Sequence, residues 1–589
     1  MAAQVALHTD DILHAIFEYF SIDRWQYRFS IYRRDNPGED ARRQALARIA
    51  RVCKAFRDAA LPILWGRLHN LVPFFRLLST CIVIKESPMG PKDRKKCVYS
   101  LAAGPVRLEE IQRLRFYGAL IHTIGGSTQA SFTTKGFFDI VEGSSLAALS
   151  ALVGDASEAI LPNLRSLSWL FSSSSNPTTL RVLLSPSVQS LHLESGSEKG
   201  EWQPLLERVL HASLQVTPHL DHLTVNCSAH FSDLRLSTST TIAISELRSL
   251  RSLVLLFPTY EEWNAIGSDV MLDALSLLAP LTTLERLEFR PGYIVESPRV
   301  SSWSSRHWSL FPILQDLKLH RVNCRQSLHH LFKMLQTETL HSFEATFDYP
   351  NDTACKRTFE SLARCFPCLR KLRCIMKYMY EEQNQTSSTA PSLCELVSPL
   401  LTVPSMETVI LPGEIRPRCY VGDAELNAMS AAWPHLRILD LGEYPFTPSA
   451  GGWKGISLNT LALFATRCPN LERLSLSSFD MQSLDTIIEL HNELPCTNHG
   501  LRHISFRALH GTEDDCIRCA RILDRLFPHL NVVDTLVGLI RPGSTSTMDL
   551  YAQPRWKGNR VHILKYSMFL SILTYQDARE HDPWDEYGL

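Results

Sequence analysis

Residues 310–319, Leu310-Phe311-Pro312-Ile313-Leu314-Gln315-Asp316-Leu317-Lys318-Leu319, carry the pattern on which the fold reading turns. Leu314, Leu317 and Leu319 fill the first, fourth and sixth places of a six-residue frame, and Pro312 stands two residues before the first. A spacing of two puts Leu317 and Leu319 on the same side of a strand. Proline cannot continue a helix and pushes its predecessor to extended geometry, so Pro312 is expected to end a helix and start the strand at a fixed offset.

The same frame recurs along more than half of the chain. Leu250/Leu253/Leu255, Leu436/Leu439/Leu441 and Leu471/Leu474/Leu476 repeat it with leucine throughout. Leu164/Leu167/Trp169, Leu220/Leu223/Val225, Leu284/Leu287/Phe289, Leu369/Leu372/Cys374 and Leu501/Ile504/Phe506 keep it with other apolar residues. Val188/Leu191/Leu193, Leu340/Phe343/Ala345, Met406/Val409/Leu411 and Leu530/Val533/Thr535 are weaker copies, which brings the set to thirteen. First positions are 24 to 37 residues apart, room for one strand, a turn and a helix of two to four turns. Nine of the thirteen copies carry the proline, at 162, 186, 218, 312, 367, 404, 434, 469 and 528.

Segments ahead of these prolines have helical spacing. Leu458, Leu461, Ala462 and Ala465 precede Pro469; Phe359, Leu362, Ala363 and Phe366 precede Pro367; Leu205, Leu206, Val209 and Leu210 precede Pro218. An isolated Leu-x-x-Leu-x-Leu also occurs in amphipathic helices, but a proline at a fixed offset sets these copies apart from unrelated leucine-rich helices. The predicted order is helix, proline, strand, loop. Over 161–540 this resembles the leucine-rich-repeat proteins, in the irregular form with long repeats. That resemblance implies an α/β solenoid, curved, with a parallel sheet on the concave face and helices outside.

Ahead of the array, Asp11-Ile-Leu-His-Ala-Ile-Phe-Glu-Tyr-Phe20 puts Ile12, Leu13, Ile16, Phe17 and Phe20 on one helical face, with Thr9 and Asp10 as caps. A second helical run is expected over 46–65, through Leu46, Ile49, Val52, Cys53, Phe56, Ala60, Leu64 and Trp65, closed by Pro62. Asp11-Ile12-Leu13, Ile16-Phe17, Val52-Cys53, Phe56 and Leu64-Trp65 resemble the F-box. They depart from it in having His8-Thr9 where Leu-Pro is usual and an apparent insertion at 21–45. Arg113-Leu-Arg-Phe-Tyr117, Leu161-Pro-Asn-Leu164 and Leu184-Ser-Pro-Ser187 with Leu191 are similar to a large F-box group of mushroom-forming fungi. Division of the chain follows: 1–75 the F-box-like helical module, 76–160 a linker and irregular first repeat, 161–540 the repeats, 541–589 a cap and tail.

Other features narrow the function classes. The 589 residues are 45% hydrophobic and 21% charged, typical of a chain that folds, and the net charge of −1 gives no global pull towards nucleic acid or an anionic membrane. Neither a leader at Met1–Leu13 nor a membrane-spanning apolar run is read, so an intracellular protein, cytoplasmic or nuclear, is expected. Fifteen cysteines without regular spacing are expected to be reduced and mostly buried; Cys365/Cys368 and Cys516/Cys519 have metal-like spacing but are read as repeat thiols. The basic run Lys92–Lys96 is read as a solvated linker, and no catalytic, cofactor-binding or metal-binding motif is found.

The F-box resemblance implies a non-enzymatic substrate receptor of a cullin-based ubiquitin ligase. Adaptor contacts carried over by position are Ile12, Leu13, Ile16, Phe17, Val52, Phe56 and Trp65, meeting a Skp-type adaptor and through it a cullin. For a protein substrate, the strand positions flanking each middle apolar residue are candidates: Arg286, Glu288, Arg290, Asp316, Lys318, His320, Glu344, Lys371 and Arg373. Their mixed charge suits a polar or phosphorylated segment. The competing reading is a repeat scaffold without a ligase role.

Overall fold

The computed structural model describes residues 10–20, 37–78, 82–89, 94–101, 106–125, 140–141, 145, 148–149, 159–171, 177–195, 202–227, 237–257, 275–290, 310–323, 327–335, 337–349, 352–378, 392–411, 413–415, 421–441, 456–480, 499–510, 515, 519, 522–523 and 525–530. The expected cap at 541–589, the end of the thirteenth motif copy (Val533, Thr535) and Cys516 lie outside them. The chain divides into two compact units: Met1–Glu262 with Ala274–Leu284 and Arg290–Arg299, and Trp263–Asp273 with Glu285–Phe289 and Val300–Leu589.

In the first unit, short strands β1 (Arg67–Leu68), β4 (Thr123–Ile124), β6 (Ser166–Phe171), β7 (Ser190–Ser195), β8 (His222–Asn226) and β9 (Ser252–Leu256) pair in that order, all parallel. A separate small sheet joins β2 (Ile82–Met89) antiparallel to β3 (Arg94–Leu101), with β5 (Ile140–Val141) parallel to β3. In the second unit, β10 (Arg286–Arg290), β11 (Asp316–Asn323), β12 (Ser342–Tyr349), β13 (Lys371–Tyr378), β14 (Thr408–Ile410), β16 (Ile438–Asp440), β17 (Arg473–Asp480) and β18 (His503–His510) form a parallel sheet, and β15 (Gly413–Ile415) adds to β13.

From β11 to β18 the motif stays in register: Leu317 pairs with Phe343, Phe343 with Leu372, Leu372 with Val409, Val409 with Leu439, Leu439 with Leu474 and Leu474 with Ile504. In the copies that are fully described, the first, fourth and sixth residues are buried, except for the half-buried Trp169. Helices such as Asp352–Cys365 and Leu458–Arg467 send apolar faces into the same cores. Phe332, from the helix Ser327–Leu335, meets strand residue Phe343 edge-on at 5.4 Å and Phe366 at 5.6 Å.

The proline keeps the expected fixed offset to the strand, which begins four residues after it, as at Pro162 and Ser166 or Pro312 and Asp316. It occupies the second place of a tight turn: Leu164 N–H donates to Leu161 O, Leu314 to Phe311 O, Leu436 to Trp433 O and Leu471 to Cys468 O, at 3.0–3.2 Å. Its fixed φ suits that place, and the strand begins two residues after the first apolar position, as at Ser166 and Asp316. Neighbouring turns are clamped by a hydroxyl immediately ahead of the first apolar residue. Ser187, Thr283, Thr339 and Ser405 each donate to two carbonyls of the preceding turn, Ser405 to Pro367 O at 3.2 Å and to Leu369 O at 2.8 Å.

Further differences concern the N-terminal region. The run expected over 46–65 is two helices, Pro37–Ile49 and Lys54–Gly66, because Cys53 caps the second, its Sγ accepting from Phe56 N–H at 3.5 Å; Pro62 sits inside that helix rather than closing it. Helix Pro37–Ile49 also starts within 21–45. The parallel sheet begins at β1, well before 161, and Arg94–Lys96 of the basic run belongs to β3.

Candidate protein-binding faces

Helices Asp10–Glu18, Pro37–Ile49 and Lys54–Gly66 share a core of Leu13, Phe17, Leu46, Ala59 and Ala60, ringed by half-buried Phe20, Ile49, Phe56, Ile63 and Leu64. Phe17 packs edge-on against Phe56 at 5.5 Å. Arg43 ties the second helix to the end of the third, donating to Arg67 O at 3.0 Å and Leu64 O at 3.2 Å. The latter carbonyl lies in the last helical turn, where intrahelical donors run out.

This packing splits the expected adaptor residues. Leu13 and Phe17 point inward, Phe56 is half-buried beside them, and Trp65 is half-buried against Tyr117, ring centroids 4.4 Å apart. Ile12, Ile16 and Val52 point outward and are joined by Tyr19, these four side chains being between 42% and 67% exposed. Positions 12, 16 and 19 form one stripe at helical spacing. A nine-residue helix with an apolar stripe inside and another outside has one face covered by its own module and one available. Tyr19 was not singled out from sequence because the wide apolar arc from Ile12 to Phe20 does not reveal which part turns inward.

The charged strand positions of the second unit form an ordered row. Glu288, Lys318, Glu344 and Arg373 are in register across β10–β13, so the sign alternates from strand to strand. Lys318 Nζ lies 3.3 Å from Glu288 Oε1 and 3.5 Å from Glu344 Oε2; Arg373 Nη1 lies 3.4 Å from Glu344 Oε1. His320 Nε2 meets Glu288 Oε1 at 2.9 Å, and Arg286 approaches its other oxygen at 3.6 Å. Burial by itself would raise the pKa of Glu288. The His320 hydrogen bond, then the Lys318 charge, outweigh it and bring the value down to about 2.

Asp316 and Lys371 are exposed two residues earlier on β11 and β13. Arg290 falls in the first unit. The two central cations already share carboxylates, so an incoming phosphate has to displace a carboxylate rather than fill an anion-free cluster. A second line of pairs along the strand starts, Arg370–Glu407 at 3.5 Å and Arg437–Glu472 at 2.6 Å, is exposed; such pairs contribute little net stability.

Among the thiols, Cys365 is buried at a helix end while Cys368 is exposed in the turn after Pro367, which separates the two. His329 bonds Ser361 Oγ at 2.6 Å. Among the described residues, no group of three or more His, Cys, Asp or Glu side chains could hold a metal ion, and no helix is long and apolar enough to cross a membrane. The sequence matches no protein-family model and no curated protein.

Proposed function

We propose that this chain is the substrate-recognition subunit of a cullin-based ubiquitin ligase: an F-box-like module that binds a Skp-type adaptor, followed by leucine-rich-repeat-like strands that hold a protein substrate. The observation that carries this reading is the outward stripe of Ile12, Ile16 and Tyr19, with Val52 also exposed, on a three-helix module whose core is complete without them. Apolar groups of this size cost free energy in water, about 1.5–3 kcal/mol each relative to burial, so a partner that covers several gains a substantial part of its affinity there.

The experiment is co-purification of the intact chain with a Skp-type adaptor. Ile16→Asp together with Val52→Asp removes the adaptor while leaving the melting temperature unchanged, since both side chains lie outside the core. Phe17 is unsuitable for this purpose: truncating it opens a cavity inside the module, so lost binding would not report on the surface. No adaptor captured by the intact chain overturns the reading.

A further inference from the structure

On the first unit, the solvent-facing rows of β6–β9 differ in character from the charged row of the second. Leu191 and Leu193 of β7 point into the core, so His192 and Glu194 face outward. His192 is flanked in register by Ser168 and Thr224, and Glu194 by Asn226. From Ser166 to Leu256, the outward places of these strands are Ser166, Ser168, Ser190, His192, Glu194, His222, Thr224, Asn226, Ser252, Val254 and Leu256 where side chains are described. Glu194 is the one carboxylate among them, and no Lys or Arg stands with it.

Its environment is unusual for a carboxylate. The side chain is 14% exposed, and that of His192 18%. Oε1 receives a single long bond from Asn226 Nδ2 at 3.5 Å. Oε2 and His192 Nε2 approach to 3.8 Å, too far for a hydrogen bond, and among the described residues both atoms are buried with no hydrogen-bond partner. A carboxylate offers about four lone-pair sites, and a buried polar atom left unpaired is destabilising. In the second unit the comparable Glu288 is surrounded by Lys318, His320 and Arg286.

We propose that the Glu194–His192–Asn226 cluster is a subsite for one cationic side chain, a lysine ammonium or arginine guanidinium, of the protein substrate. On binding, the Glu194 carboxylate turns to bring Oε2 out to the cation; Asn226 stands in register beside it, and the Ser168 and Thr224 hydroxyls, which flank His192 one outward place earlier, accept hydrogens of the cation along its approach. One buried carboxylate on a face whose other described outward residues are Ser, Thr, Asn and His, with Val254 and Leu256 on β9, selects for a single basic residue. This deepens the receptor reading and rests on its claim that the strand face binds protein.

The test is selection of random octapeptides on the full-length chain, followed by affinity measurement on synthetic copies. Recovered peptides share a Lys or Arg at one position, lose at least tenfold in affinity when it becomes norleucine or citrulline, and lose as much against Glu194→Gln, whose melting temperature matches the parent. Glu194→Asp, which keeps the charge, recovers part of the binding. Peptides without a shared cation, no selection at all, or equal affinity for Glu194→Gln overturn the proposal and leave His192 and Glu194 as an internal pair. Adaptor capture is read on the N-terminal module, so a chain that selects basic peptides yet binds no adaptor refutes the ligase role alone.

Discussion

Glu288→Gln tests whether the alternating row on β10–β13 is an interacting unit. The carboxyl pKa falls from 4.5 to about 2 in the folded chain, which at about 1.4 kcal/mol per unit sets a ceiling of roughly 3 kcal/mol on its electrostatic contribution. Its partner Lys318 is about a third exposed and Arg286 more than half, so solvent screening reduces the expected loss to about 1–2 kcal/mol. The sign follows from the lowered pKa. The stabilisation is fully present above pH 4.5, the ordinary carboxyl range, and is lost as pH falls from there towards 2. Amide hydrogen exchange of peptides covering Arg286–Arg290 and Asp316–Asn323 reports the local opening free energy. At pH 7 the variant exchanges roughly 5- to 30-fold faster than the parent in these peptides, and the gap narrows once the pH is brought well below 4.5. A gap that stays constant with pH, or exchange unaltered at pH 7, refutes the reasoning.

Ser405→Ala removes both hydroxyl bonds to the preceding turn and lowers stability by about 1 kcal/mol, read as a shift in the urea midpoint that Ser405→Thr does not produce. Phe17→Ala costs about 3–5 kcal/mol and melts the three-helix module, whereas Ile16→Asp stays within about 0.5 kcal/mol; circular dichroism melts of the two variants separate core from surface. Gly118→Ala places a Cβ 2.5 Å from the Ile160 carbonyl oxygen and destabilises by about 1–3 kcal/mol, seen as a lower melting temperature. His499 donates through Nε2 to Cys468 O at 2.9 Å and accepts from Leu501 N–H at 3.1 Å. Burial lowers its pKa despite the Cys468 bond, so its contribution is complete above about pH 6.5 and is lost as pH falls below that; the protection of β18 amides relative to their intrinsic exchange rate falls between pH 7.5 and 5.5, and His499→Asn flattens that response.

The parallel strands were legible because each motif copy places two apolar residues two apart on one face, a signal that survives substitution by Val, Phe or Cys. Where that signal is short it disappears. Strands β1 and β4 have two residues each, Ile121 and Ile124 show only part of the frame, and no proline stands two residues ahead, so the sheet appeared to begin at 161. The β2–β3 hairpin was hidden by Lys, Arg and Pro: Pro88 lies within β2 opposite Lys95, and β propensity is carried by Ile82–Ile84 and Val98–Tyr99 alone. The hydroxyl clamps were visible only as scattered Ser and Thr, since their meaning depends on carbonyls 23–38 residues earlier. At the N-terminus, periodicity identified an amphipathic helix but not its inward stripe. That is set by Phe56, Ala59 and Ala60, which a separate helix brings to Leu13 and Phe17. Glu194 escaped notice for a related reason: Asn226, which bonds it, comes from the neighbouring strand, and the rows beside it form only when β6–β9 pair.

The central claim is most directly tested by reconstitution of the intact chain with a Skp-type adaptor and a cullin on a size-exclusion column. Stoichiometric co-elution of all three, lost on combining Ile16→Asp with Val52→Asp, is the predicted result; a chain that elutes alone at concentrations where adaptor and cullin associate contradicts it.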